Sequence, residues 1–193
     1  SSMKHFGLNL VESPMDGLML LEPTVHGDAR GYFMETFKNE GQDLIWKQDN
    51  ESMSHRGVLR GLHFQRPPHA QAKLVSVVQG SVYDVVVDLR ADSPSYGKTY
   101  GSVLSSINKR RLLIPAGFGH GFLTLEDHTI FQYRCSEGYA PEFEGCIAYN
   151  DESLAIDWLA DSGLTPADLQ LSAKDQKGIA FATFESPFMG PDF

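Results

Sequence analysis

Ser81-Val82-Tyr83-Asp84-Val85-Val86-Val87-Asp88-Leu89 places Tyr83, Val85, Val87 and Leu89 on one face of an extended chain and Val82, Asp84, Val86 and Asp88 on the other. Gly80 makes a tight turn into it. Working outward, short runs rich in Val, Ile, Tyr, Phe and Thr, cut by Gly, Pro, Asn and Asp, fill the chain from Leu18 to Cys146 without a sustained 3.6-residue apolar period. The expected strands are Leu18–Val25, Tyr32–Phe37, Trp46–Ser52, Val58–Gln65, Ala72–Gln79, Ser81–Leu89, Thr99–Leu104, Arg111–Ile114, Gly121–Leu125, Thr129–Cys135 and Gly145–Tyr149. This is an all-β pattern, and so many short strands with close turns suit a double-sheet jelly roll. The tail differs, because Leu164-Thr165-Pro166-Ala167-Asp168-Leu169 carries a Thr cap with Pro at the first helical position, which predicts a short surface helix.

The chain has 193 residues, 41% of them hydrophobic and 21% charged, which suits one globular domain over residues 3–193. Ser1-Ser2 ahead of Met3 reads as an expression-tag remnant. No stretch approaches the roughly 18 apolar residues of a membrane span, and the first ten residues lack a signal-peptide layout, so a cytoplasmic protein away from membranes is expected. Cys135 and Cys146 have no metal-ligand spacing and are expected to be reduced. A net charge of −9 opposes general affinity for nucleic acid or anionic lipid, yet a small anionic ligand in a locally basic pocket is compatible with it.

Chemistry concentrates in Gly57-Val58-Leu59-Arg60-Gly61-Leu62-His63-Phe64-Gln65 and Gln71-Ala72-Lys73-Leu74-Val75, which set an Arg, a His and a Lys on mostly apolar strands. Strict alternation aims His63 into a barrel and sends Arg60 the other way. For both to serve one site, Gly61 must mark a bulge or the strand must begin after Arg60. Lys73 shares a face with Val75 and Val77, where its ammonium is desolvated unless an anion pairs with it. Tyr133 carries a phenol on a strand that otherwise reads as core. His120 falls in Ile114-Pro115-Ala116-Gly117-Phe118-Gly119-His120-Gly121-Phe122, which reads as a glycine-rich turn. Arg30 and Glu35, and Lys174 with Asp175, read by default as exposed charges.

A first-row metal would want a His-x-His pair with a carboxylate a few residues on. His63 is followed instead by Phe64 and Gln65, and the seven histidines are scattered, so a metal-free site is expected.

Taken in order, Asp28-Ala29-Arg30-Gly31-Tyr32-Phe33, Gln48-Asp49-Asn50, Val58 to Gln65, Gln71 to Val75, Val87-Asp88-Leu89-Arg90, Ile114 to Phe118, Tyr139-Ala140-Pro141-Glu142, Asn150-Asp151 and Ser172-Ala173-Lys174-Asp175 resemble the dTDP-4-dehydrorhamnose 3,5-epimerase family. The match runs along nearly the whole chain. The resemblance implies a cupin-like jelly roll with short C-terminal helices, acting without cofactor on a nucleotide-linked 4-keto-6-deoxyhexose. It makes His63 the general base, Asp175 its orienting carboxylate, Tyr133 the acid on the opposite ring face and Lys73 the stabiliser of the enolate. His120, Arg30, Arg60, Gln48, Asn50 and Lys174 would hold the substrate, with Phe33, Glu35 and Tyr139 lining the site. A homodimer with an exchanged N-terminal segment is implied too, so that some of these groups act in trans.

Departures from the family pattern are Tyr96 and Thr99 where Phe and Trp are usual, Gly119 for Ala, Trp158-Leu159 for Trp-Pro, and a longer insert before the Ser-Ala-Lys-Asp motif. They leave the catalytic set intact and allow a different nucleotide or inversion at one carbon only. A binding protein without turnover, and a metal-dependent cupin, are the competing classes. The first needs no base and acid together, and the second needs ligands that this chain does not space correctly.

Overall fold

The computed structural model describes residues 4–193; the proposed tag remnant Ser1-Ser2 lies outside the described residues. In chain order the strands are β1 (Lys4–His5), β2 (Leu8–Met15), β3 (Leu18–Glu22), β4 (Val25–Asp28), β5 (Gly31–Met34), β6 (Gln48–Ser54) and β7 (Leu59–Gln65). They continue as β8 (Lys73–Gln79), β9 (Ser81–Asp88), β10 (Thr99–Ser105), β11 (Arg111–Ile114), β12 (Phe118–Thr124), β13 (Thr129–Cys135) and β14 (Glu144–Cys146). One sheet runs β1-β2-β3-β11-β8-β13-β6 and a second β10-β9-β12-β7-β14, every pairing antiparallel, while β4 and β5 pair only with each other. This is the double-sheet jelly roll expected from the strand pattern, of the cupin-like kind that the resemblance implies.

Strand β9 explains the architecture. Both of its faces are covered, so its apolar residues divide between two cores. Val82 and Val86 join Val75, Val77, Leu112, Phe122 and Phe131 in the core between the sheets. Val85, Val87 and Leu89 pack on the other side against Leu154, Trp158, Leu164 and Phe188 of the long C-terminal segment. A third cluster, Phe6, Leu8, Leu21, Leu74 and Leu113, covers the outer face of the seven-stranded sheet beneath Phe37 and Trp46. Burying each such side chain contributes roughly 1.5–3 kcal/mol, so the irregular tail is held by its aromatic and aliphatic anchors rather than by helix or sheet.

Several expected elements are corrected. Residues 18–25 form one strand ending at Glu22 and the start of another at Val25. The helix expected at Leu164–Leu169 is one 3-10 turn, Pro166–Asp168, with the Asp168 carboxylate accepting the Thr165 N–H at 2.8 Å. The glycine-rich stretch makes its turn only at Ala116-Gly117; from Phe118 on, His120 included, it is the wholly buried strand β12. Its glycines serve close packing: a Cβ on Gly121 would lie 2.4 Å from the Arg60 carbonyl oxygen, and one on Gly119 would lie 2.9 Å from Val87 Cγ1. Among the described residues no helix is long and apolar enough to cross a membrane.

Candidate active site

The geometry of β7 sets the site. His63 pairs with His120 and Arg60 with Phe122, so β7 has two residues, Gly61 and Leu62, where β12 has only Gly121. That is a β-bulge, and it resets the alternation so that Arg60, His63 and Gln65 all line one interior cavity of about 410 Å³. Only glycine suits position 61, with φ at +116° and Gly121 Cα 2.5 Å from where a Cβ would stand. The facing sheet contributes Gln48 and Asn50 from β6, Lys73 from β8 and Tyr133 from β13. His120 on β12, and Tyr139 and Glu144 near β14, complete this part of the lining.

His63 Nε2 lies 2.7 Å from Asp175 Oδ1, although the two are far apart in sequence. Asp175 is buried, correcting the default of an exposed charge, and it is held on both oxygens. Ser172 Oγ donates to Oδ2 at 2.9 Å and accepts the Asp175 N–H at 3.1 Å, while the Gly61 N–H approaches Oδ1 at 3.4 Å. The other imidazole nitrogen, Nδ1, has no hydrogen-bond partner; Glu144 Oε1 stands 3.3 Å away without hydrogen-bond alignment. Burial pushes the imidazole below its usual range, and the Asp175 and Glu144 carboxylates oppose that shift only in part. The ring is therefore neutral near pH 7, with one nitrogen anchored and one free, as a general base requires.

Lys73 has the opposite problem. Burial depresses its ammonium, the Cys135 thiol, Asp84 and Glu144 pull it partly back, and among the described residues no carboxylate pairs with it. Its Nζ lies 6.0 Å from the centroid of the Tyr133 ring. Burial raises the Tyr133 phenol and keeps its proton on, with Arg60 exerting a smaller downward pull. A base, a protonated acid and an unpaired cation thus share one cavity. His120 is anchored by Asp84, 2.7 Å from Nε2, in a wholly buried pair.

Around the mouth, Gln48 accepts the Tyr139 N–H at 3.1 Å and donates to Asn50 Oδ1 at 2.9 Å. Arg60 reaches Ser54 Oγ at 3.2 Å. The Lys174 ammonium donates to Glu144 Oε1 and the Tyr139 hydroxyl to Oε2. Burial alone would raise the Glu144 carboxyl, but those two hydrogen bonds and neighbouring His63 hold it below the usual range. Glu144 was not among the residues expected from sequence; only the β14–β7 pairing, which sets it opposite Gln65, brings it to His63.

Arg30, Phe33 and Glu35 do not line this cavity within one chain. Arg30 pairs with Asp28 on the β4–β5 hairpin, where Phe33 is 67% exposed. Gln65, standing where a metal cupin would place a second imidazole, donates to the carbonyls of His69 and Gly138 and accepts the Ala140 N–H. It clamps the loop that carries Tyr139, with both amide hydrogens and the carbonyl oxygen engaged. Among the described residues one set of three donor side chains gathers within 4.8 Å: His63, Asp175 and Cys146. The Cys146 thiol points to the Ile147 carbonyl at 3.6 Å, and burial with the adjacent Asp175 pushes it up to about 12, so it is protonated.

Comparison with known proteins places the chain in a family. Residues 12–183 match the family model described as dTDP-4-dehydrorhamnose 3,5-epimerase. The epimerase of that name from Methanothermobacter thermautotrophicus is 47% identical over 171 residues, covering 86% of this chain and 90% of the relative. Its counterpart from Escherichia coli is 45% identical over 177 residues, 88% of this chain and 96% of the relative. Among solved structures, dTDP-6-deoxy-D-glucose-3,5-epimerase from Legionella pneumophila, in complex with dTDP-4-keto-L-rhamnose, superposes with a TM-score of 0.85 at 42% identity. The superposition covers 92% of this chain and 95% of that one.

Proposed function

The chain belongs to the dTDP-4-dehydrorhamnose 3,5-epimerase family, and from that premise we propose that its His63 and Tyr133 invert C3 and C5 of dTDP-4-dehydro-6-deoxyglucose to give dTDP-4-dehydro-L-rhamnose. The observation that carries this assignment of roles is the His63–Asp175 pair facing a cavity that also holds Lys73 and Tyr133. The C4 ketone acidifies the hydrogens on both neighbouring carbons. The neutral His63 imidazole takes one of these protons, and the electron pair moves into an enolate whose oxygen is stabilised by the Lys73 ammonium. Tyr133, on the opposite face of the ring, returns a proton to the same carbon and so inverts it. The cycle then repeats at the second centre, and every proposed step uses protein side chains alone.

Arg60, Lys174, Gln48 and Asn50 supply hydrogen-bond donors for the diphosphate and sugar, and Tyr139 an aromatic face at the mouth. The β4–β5 hairpin fits a role in trans. Among the described residues it pairs with no other strand, and its Tyr32 and Phe33 are largely exposed, an arrangement suited to entering a second subunit's cavity with Arg30 and Glu35. The proposed assembly is thus a homodimer with exchanged N-terminal segments. The separation of Cys135 and Cys146 into different sheets accords with a reducing, cytoplasmic setting.

Two variants test these roles. Tyr133→Phe keeps the base and removes the acid, so it should retain deuterium uptake from heavy water while inversion falls about 10²-fold or more. Equal loss of exchange and inversion would remove Tyr133 from the acid role. Asp175→Asn should lower kcat by about 10²-fold and move the acid limb of its pH profile downward. Activity fails as His63 gains a proton, and removing a carboxylate that holds its pKa up lets burial depress it further. An acid limb that stayed in place or rose would contradict the pairing.

A further inference from the structure

Cys146 has no part in the proposed reaction, yet β14 sets it directly opposite His63. With Asp175 it completes a thiol–imidazole–carboxylate set whose donor atoms all lie within 4.8 Å of one another. Tetrahedral zinc, with bonds near 2.0–2.3 Å, needs donor separations of about 3.3–3.6 Å. The His63–Asp175 separation of 2.7 Å must therefore open slightly, and Cys146 must close by roughly 1 Å, shifts within reach of side-chain torsions.

We propose that His63, Cys146 and Asp175 form an inhibitory site for a thiophilic divalent cation such as Zn²⁺, which takes the place of the proton between the imidazole and the carboxylate and silences the base. The charge balance favours it. The Nε2 proton that the cation displaces passes to Nδ1, so the imidazole stays neutral and can no longer accept a proton there; Cys146 releases its proton to solvent, and one thiolate, one carboxylate and a neutral imidazole around a divalent cation give a neutral cluster, the form that a buried site tolerates best. Magnesium and calcium, which prefer oxygen ligands, should not compete. Inhibition rests on His63 being the base, whereas metal binding does not.

The test separates the two. Chelator-treated protein would be titrated with Co²⁺, following thiolate-to-metal charge-transfer absorbance, and separately assayed for turnover with added Zn²⁺. Expected is a charge-transfer band saturating at one equivalent, with Zn²⁺ inhibition reversed by chelator. Cys146→Ala and Cys146→Ser should both lack the band, keep turnover near wild type and resist Zn²⁺ at least 10-fold better. Cys135, fully buried on the other sheet, is the control, and Cys135→Ala should keep both the charge-transfer band and the sensitivity to Zn²⁺. No band in the wild type, or a band that survives loss of Cys146, would overturn the site. A Cys146-dependent band without inhibition would keep the metal site and instead remove His63 from the role of base.

Discussion

His63→Ala is expected to lower turnover about 10³-fold or more and to abolish deuterium uptake at C3 and C5 together. One imidazole is anchored on Asp175, with its second nitrogen unpartnered in the cavity. His120, the other cavity imidazole, is anchored on buried Asp84 in the same way and is the group that any residual exchange would implicate. General-base catalysis accounts for about 10²–10⁴-fold, and the neighbouring carboxylates do not replace a neutral base poised near operating pH. Because the imidazole is partly exposed and outside the apolar clusters, the variant should keep its thermal unfolding midpoint within a few degrees. Exchange that persists at either carbon would show a second base.

Lys73→Met is expected to cost about 10²–10³-fold in kcat with a smaller change in KM. The ammonium is desolvated and without a carboxylate partner, a condition that destabilises the free enzyme and is relieved when an oxyanion develops nearby. Methionine retains the stem's packing beside Val75 and removes only the charge. For the same reason the variant should be at least as stable as the wild type, since an uncompensated buried cation is lost. A rise in KM with unchanged kcat would make Lys73 a ground-state binding group.

Much of this was legible in the chain because β9 and β13 are rich in Val, Ile, Phe and Tyr, β11 is a short apolar run, and turn residues stand near their ends. The expected bounds for Arg111–Ile114 and Thr129–Cys135 coincide with the strands formed. Strand β2 was not legible. Its Leu8–Met15 run holds Glu12, Ser13 and Pro14, and two register shifts against β3 break any period-two pattern. His120 was misplaced for a related reason, since Gly119 and Gly121 signal a turn to local reasoning but answer to contacts with β7 and β9 that only the tertiary pairing supplies. Gly61 was the productive case. The conflict between Arg60 and His63 left a bulge at Gly61 or a strand beginning after Arg60, and the bulge is what forms. Glu144 and the burial of Asp175 depend on long-range pairing and on the course of an irregular tail, neither of which has a local sequence signature.

The most direct measurement is to incubate the protein with dTDP-4-dehydro-6-deoxyglucose in heavy water and follow C3 and C5 by NMR. Deuterium should appear at both carbons in wild-type protein, accompany the formation of dTDP-4-dehydro-L-rhamnose, and be absent at both in His63→Ala. Uptake at one carbon only would contradict double epimerisation, and uptake at neither would contradict the assignment of this substrate to the His63 cavity.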